Sequence, residues 1–285
     1  MLDFIKNNVA LSLVLLCLAL GALALAIWVL WSNKAIVLTR YSIKAKGSLK
    51  IIHISDYHNA KFKNDNEELL NIIRDTAPDL IAITGDFIDS RHTNLARAVA
   101  FAKELVKIAP CFYAPGNHES RMPENYAKLT DELEKMGAIA LHDEVTSFEK
   151  DDITYTIIGV EDPMFITKNK DSAEKAKIII KDKLSELMKN TDDYTIVLSH
   201  RPEAFYSYVD SGVDLVLTGH AHGGQMQIPF VGGLIAPNQG FFPKYTNGIH
   251  FAKSTNMVIS RGIGNSLCPI RVNNRPEIVL IELHS

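Results

Sequence analysis

The chain has 285 residues, 47% of them apolar and 22% charged, a mixture that suits one large folded domain or two small ones and excludes a disordered polymer. Its net charge of −3, with no strongly basic block, gives no push toward nucleic acid. Cys17, Cys111 and Cys268 stand far apart and outside any C-x-x-C, which argues against a disulfide framework and against a thiolate zinc site.

The first predicted element is apolar. From Val9 to Trp31 the sequence "VALSLVLLCLALGALALAIWVLW" has no charged residue, and a helix of that length spans a hydrocarbon core of roughly 30 Å. It exceeds the usual signal-peptide apolar region of about 7–15 residues and lacks a small-residue cleavage site. Trp28 and Trp31 fall where an interfacial aromatic belt would lie. Residues 1–33 therefore read as an N-terminal anchor crossing the cell membrane once, with the span at about 9–31. Lys34, Arg40, Lys44, Lys46 and Lys50 follow it, against Lys6, Asp3 and the amino terminus before it. The positive-inside rule then places the following domain in the cytoplasm, although a large C-terminal domain can be exported against such a bias.

Residues 34–47 read as a polar, basic linker. Counted from residue 32 and fully extended, it reaches no more than roughly 55 Å. The remaining domain, residues 48–285, alternates strand and helix. "LKIIHIS" (49–55) is an apolar strand, and 64–78 has helical spacing until Pro78. "DLIAIT" (79–84), a helix near 92–109 and the strand "CFYAP" come next. The stretch 145–160 reads as two antiparallel strands around a Lys-Asp-Asp turn. A lysine-rich helix at about 171–189 precedes the strands "YTIVLSH" (194–200), "VDLVLTGH" (213–220), "NMVIS" and "EIVLIEL". There is no internal repeat, P-loop or G-x-G-x-x-G fingerprint.

Strand after strand ends in Asp, Asn or His: Asp56 and His58, Asp86, Asn117 and His118, His200, His220 and His222. In α/β sheets ligands gather at the carboxyl ends of strands. The one-residue gap in Asp56-x-His58 and His220-x-His222 lets two side chains converge if the strand geometry continues, with Tyr57 pointing away. Carboxylate, imidazole and amide oxygen together suit Mn, Fe or Zn. Any one of these pieces alone could be an ordinary turn or cap. Their succession on five strand ends points to a metal centre, with too many ligands for one tetrahedral ion and about enough for two that share a carboxylate. A zinc peptidase is disfavoured, because "HESRM" lacks the second histidine of H-E-x-x-H.

The blocks "DYH", "GDFID", "GNHE", "SH" and "GHAHGG", in this order, resemble the calcineurin-like metallophosphoesterase family over roughly residues 48–285. The sequence after the last block, "GGQMQIP", "KYTNGIH" and "SRGIGNSLCPIR", looks like its membrane-associated bacterial branch of YkuE- and YaeI-type phosphodiesterases. The resemblance implies an α/β fold, a four-layer α-β-β-α sandwich of two mixed sheets flanked by helices. It also implies two divalent metal ions: Asp56, His58 and His222 would hold the first and Asn117, His200 and His220 the second, with Asp86 shared. A metal-bridging hydroxide would attack a phosphodiester or phosphomonoester. His118 would protonate the leaving oxygen and Asp89 would orient it.

Some positions depart from the family pattern. Tyr57 stands where many relatives carry Leu or Thr, and Glu119 replaces a frequent Asp. Ser90 follows Asp89 where the family's protein phosphatases have Arg, with Arg91 one place later, which argues against a phosphoprotein phosphatase.

Residues 228–245, with Phe230, Leu234, Ile235, Phe241 and Phe242, read either as core beneath the site or as an apolar wall for a lipid-linked substrate. The substrate is then a small or lipid-linked phosphate ester. A lipid-linked pyrophosphate of the UDP-diacylglucosamine type is the alternative. A docking module with catalysis lost would be expected to lack ligands, and none is missing.

Overall fold

The computed structural model describes residues 8–168, 172–189, 193–265 and 270–285, and Asp65 by its backbone alone. Lys6, Asp3 and Cys268 lie outside the described residues. The apolar run forms one helix, α1 (Val9–Ser32), exposed along most of its length and met by the domain at Trp31, under Arg275. At 1.5 Å per residue its 24 residues measure about 36 Å.

A strand follows almost at once. β1 (Val37–Lys44) pairs in parallel with the C-terminal strand over its whole length, from Val37 opposite Glu277 to Lys44 opposite His284. This corrects the linker reading of residues 34–47. An edge strand carries polar and basic residues on its open side, here Arg40 and Lys44, so its composition is that of a linker while Tyr41 and Ile43 pack inward. Only Asn33–Ile36 then separate α1 from the domain, and the long reach of a tether disappears.

The next strands are β2 (Leu49–Ile54), β3 (Leu80–Thr84) and β4 (Cys111–Ala114), buried almost throughout as parallel strands covered on both faces are. Helix α2 (Lys63–Asp75) stops before Ala77, whose left-handed φ of 45° breaks it ahead of Pro78. Helix α3 (Leu95–Leu105) starts where the Asn94 side chain accepts from Arg97 N–H. Helix α4 (Pro123–Lys135) is absent from the sequence reading, though Pro123 opens it at a favoured position. After β5 (Ile139–Ala140), the hairpin β6 (Glu144–Lys150) and β7 (Ile153–Gly159) turns on Asp151 and Asp152, with φ of 49° and 60°. Two positive φ values match a turn that follows the twist of the strands.

Helix α5 (Ala173–Leu187) leads to β8 (Tyr194–Leu198), and α6 (Phe205–Asp210) to β9 (Leu215–Thr218). Two tiny hairpins, β10 (Gln227–Ile228) with β11 (Gly232–Gly233) and β12 (Ile235–Ala236) with β13 (Gly240–Phe241), precede β14 (Gly248–Ala252), β15 (Thr255–Ile259) and β16 (Glu277–His284). The two large sheets run β1-β16-β2-β3-β4-β5 and β14-β15-β9-β8-β7-β6. Both are mixed, with β16–β2, β6–β7 and β14–β15 antiparallel and the other neighbours parallel.

Alternation along the strands sorts the core into three layers. Ile51, Leu80 and Phe112 of the first sheet meet Ile157, Ile196 and Leu217 of the second. On the outer face of the first sheet, Ile52 and Ile81 pack on Leu69, Phe101 and Leu129 of α2, α3 and α4. On that of the second, Val197 and Val216 pack on Ile180 and Tyr208 of α5 and α6. This is the expected α-β-β-α sandwich.

Candidate metal centre

Five parallel strands, β2, β3 and β4 of one sheet and β8 and β9 of the other, end in turns of buried polar residues. The side chains converge, but not through extended geometry. Asp56, His58, Asp86, His220 and His222 all have left-handed φ, at 51°, 48°, 50°, 65° and 46°. Asp and His tolerate that region better than most residues, at a cost of about 1–3 kcal/mol each that the surrounding fold must offset. Tyr57 does point away: it is fully buried and stacks on Phe101 at 4.5 Å between ring centres. Glycine lets the turns touch. Gly85 has φ 79°, and a Cβ there would lie 2.6 Å from the backbone of Gly116.

All seven expected ligands are buried. Ligand atoms of Asp56, His58 and His222 lie within 4.8 Å of one another, as do those of Asp86, His200 and His220, and a third such group joins His58, Asp86 and His118. His222 Nε2 is 3.3 Å from Asp56 Oδ1 and 3.3 Å from His58 Nε2. Asp86 Oδ2 is 3.3 Å from His200 Nε2 and 3.6 Å from His58 Nε2, so this carboxylate reaches both halves. Asn117 Oδ1 and His200 Nε2 are buried and make no hydrogen bond. Buried polar atoms rarely stay unpaired; His200 Nε2 faces the carboxylates of Asp86 and Asp56, and with the buried amide oxygen this donor set has the chemistry that fits a divalent cation.

The second nitrogen of each ring decides what the first can do. His200 Nδ1 donates to Thr84 O at 2.8 Å, which leaves Nε2 as its ligand atom. His58 Nδ1 lies 3.5 Å from Asp89 Oδ2, near it but without a hydrogen bond among the described residues. His118 is the reverse of His200: its Nδ1 accepts the Ser90 backbone N–H at 2.9 Å. A neutral ring so held carries its proton on Nε2, 3.8 Å from Asp86 Oδ2. His118 thus presents a proton to the site where His200 presents a lone pair. The orienting group differs from the expectation. Ser90 N–H holds His118 Nδ1, whereas Asp89 accepts from Arg91 N–H at 2.6 Å and His92 N–H at 3.0 Å and turns its free oxygen toward His58.

Burial lowers His58 to about 3 and holds His220 and His222 well below the imidazole range, so all three are neutral, the metal-binding form. Burial also works on His200, but Asp86 and then Asp56 outweigh it and raise this ring to about 10. Burial alone would raise Asp86; His200 and His118 overcome it and keep the carboxyl well below the usual carboxylate range. Burial lifts Asp56 to about 6, with His200 opposing. In the chain alone, a proton on His200 facing Asp86 stands where a cation would bind.

The sequence reading gave no role to three supporting residues. Glu119 accepts from Asp86 N–H at 2.9 Å, Gly116 N–H at 2.8 Å and Ile88 N–H at 3.1 Å, which latches the β3 turn to the β4 turn. Arg201, paired with Asp162 through two nitrogens, brings a third to 3.2 Å from His220 Nε2. Arg271 reaches 3.3 Å from His222 Nδ1. "SHRPE" shows Arg201 beside a ligand, but no sequence signal brings Arg271 to His222, 49 residues away.

The family model for calcineurin-like phosphoesterases matches residues 49–224. The metallophosphoesterase YkoQ of Bacillus subtilis is 30% identical, covering 85% of this chain and 86% of its own. The phosphodiesterase YaeI of Escherichia coli is 27% identical over 82% of each chain. Among solved structures, TT1561 of Thermus thermophilus shares the fold with a TM-score of 0.50 at 17% identity, over 76% of this chain and 91% of that one. A family match that begins at β2 and ends in the turn after β9 spans all five strand ends. The chain therefore belongs to the calcineurin-like phosphoesterase family and is a metal-dependent phosphoric ester hydrolase.

Proposed function

We propose that this hydrolase is anchored in the membrane by α1 and cleaves phosphodiester or phosphomonoester bonds with two divalent ions. Asp56, His58 and His222 would hold one ion, Asn117, His200 and His220 the other, and Asp86 both. The single observation that carries this is the reach of Asp86 Oδ2 to His58 and His200, one histidine from each group. When bound, such ions supply Lewis-acid charge for the phosphoryl oxygens and a water acidic enough to ionise near neutral pH. The chain's own contribution is the N–H of His118 Nε2, fixed there by Ser90, which would hydrogen-bond the charge that builds on the leaving oxygen. Asp89 places its charge behind the His58 ring, and Glu119 keeps the turn of Asp86 against that of Asn117. Burial lowers the proton affinity of His118, against the opposing pull of Asp86 and Asp89, and the charges of Arg121 and Arg91 add to the lowering. The same positive charge attracts a phosphate.

The test uses the full chain in detergent, analysed for metal and assayed with Mn²⁺ on nitrophenyl and bis-nitrophenyl phosphate. Bound metal and turnover that depend on His118 and Asp86 are expected. Metal near zero, or turnover indifferent to His118→Ala and Asp86→Ala, would refute the proposal.

A second reading, a lipid-linked pyrophosphate as substrate, draws on Phe241 and Phe242. They are 71% and 63% exposed, which removes the alternative that they fill the core. Phe241→Ser and Phe242→Ser should then reduce turnover of a lipid-linked substrate more than that of bis-nitrophenyl phosphate. Equal losses would discard this reading.

A further inference from the structure

The chain after the paired histidines carries a dense run of exposed apolar side chains. Phe230, at the tip of the β10–β11 hairpin, is fully exposed, as is much of Val231 beside it. The β12–β13 hairpin adds Ile235, Phe241 and then Phe242. Contiguous exposed apolar side chains of this size mark an interaction surface.

What covers them is indicated by what they are tied to. Met226 bridges Val272, Gln227 N–H donates to Val272 O at 2.9 Å, and the Gln225 amide donates to Ile270 O at 3.0 Å. The same short strip grips the end of α1. Arg271 N–H donates to Asn33 Oδ1 at 2.8 Å, and Asn33 Nδ2 donates to Arg271 O at 2.7 Å. The Arg275 guanidinium lies over the Trp31 ring, 5.3 Å from its centre, and donates to Ala35 O at 2.8 Å. Residues 270–275 thus join the hairpins to the last turn of α1, where the helix would leave the bilayer.

Charge agrees. Acids outnumber bases in the chain, 33 to 30, yet no Asp or Glu occurs between Asp214 and Glu277. Lys244, Lys253, Arg261, Arg271 and Arg275 lie in that interval; Arg271 is buried, Arg261 pairs with Glu277 and Lys253 lies 3.5 Å from Asp210, so the surface charge it offers rests on Lys244 and on Arg275 beside Trp31. A segment with bases and no acid, edged with aromatics, suits an anionic lipid surface.

We propose that the β10–β13 hairpins form a second membrane contact, with Phe230, Phe241 and Phe242 entering the headgroup–acyl boundary of an anionic bilayer beside the end of α1. The inference rests on the α1 anchor proposed above and goes beyond it, because a single helix leaves the orientation of the domain open. Two contacts fix it, and they fix it through the metal-site loop: Leu234 N–H donates to Gly224 O at 3.1 Å, and the Gln227 side chain donates to Gly223 O. The rim next to His222 then faces the lipid headgroups, which favours phosphate esters presented at the bilayer surface.

The experiment places single nitroxide labels on the full chain with Cys17 and Cys268 changed to Ser; Cys111 is buried. Labels replace Phe230, Phe241, Leu20 in α1 and, as a control, the exposed Ile178 on α5. The protein is reconstituted in vesicles of phosphatidylcholine with phosphatidylglycerol, and collision rates with oxygen and a nickel chelate report immersion. Labels at 230 and 241 should favour oxygen several-fold over the label at 178, and less so in phosphatidylcholine alone. Labels at 230 and 241 that match 178 while the one at Leu20 lies in lipid overturn the hairpin contact and leave the anchor standing. A water-exposed Leu20 label overturns the anchor; immersed labels at 230 and 241 would still support the contact, and exposed ones would end both. Equal immersion without phosphatidylglycerol overturns the anionic preference.

Discussion

Residues 219–225 and 228–242 are neighbours in the chain and opposites in their surroundings. The first stretch buries His220 and His222 in left-handed backbone, and the second exposes Phe230, Phe241 and Phe242. Each inverts the ordinary rule that apolar side chains go inside and polar ones out. The inversions differ in how they are stabilised. The buried histidines are held by the sandwich around them, including Arg201, Arg271 and the turns after β2 and β3, so their cost is met inside the fold. The exposed phenylalanines have no such support among the described residues and call for a partner outside them. One region therefore marks chemistry and the other marks contact.

The largest expected effect tests the division of labour inside the buried region. His118→Ala should lower turnover by about 10²–10⁴-fold with metal content unchanged, as read by elemental analysis beside the assay. Loss of metal in this variant would make His118 a ligand and dissolve the distinction drawn from Ser90.

Next comes pH. On the proposed assignment an ion held by His200 would displace its proton, so affinity should climb by up to about tenfold per pH unit below about 10 and level off above it. A chelator competition at pH 7 and pH 9 checks it, and a flat result removes that proton. The sign reverses for the metal-free chain. A raised folded value stabilises fully below about 6.5 and is lost as pH rises through about 10. The metal-free chain should therefore melt at a lower temperature at pH 10 than at pH 7.

Glu119→Gln should destabilise the fold by about 1–3 kcal/mol, since the amide nitrogen that replaces one carboxylate oxygen cannot accept from the buried N–H groups; denaturant unfolding measures it. The smallest effect concerns the junction between the two regions. Asn33→Ala removes two hydrogen bonds to Arg271 and should cost about 1 kcal/mol. Turnover of a soluble diester should barely change, and a large loss would show that the junction supports the buried site directly.

Much of the fold was legible because its signals are local. Apolar runs and helical spacing marked β2, β3, β4, β8, β9 and β16, and Asp151-Asp152 marked the hairpin. Elements whose character depends on a partner were not legible. β1 looks like a linker until β16 lies beside it, and β10–β13 are too short to have a period. The candidate ligands were readable as residue types at strand ends, since few other roles need His, Asp and Asn there.

By itself, then, the sequence determined the alternating α/β architecture, the apolar helix and the set of ligand types, all of which follow from side-chain chemistry at short range. Tertiary structure alone decided which ring nitrogen faces the site, that Ser90 rather than Asp89 holds His118, and that Arg271 links His222 to the end of α1. Those outcomes depend on contacts between residues far apart in the chain, and on backbone turned left-handed only because the packed sheets hold it so.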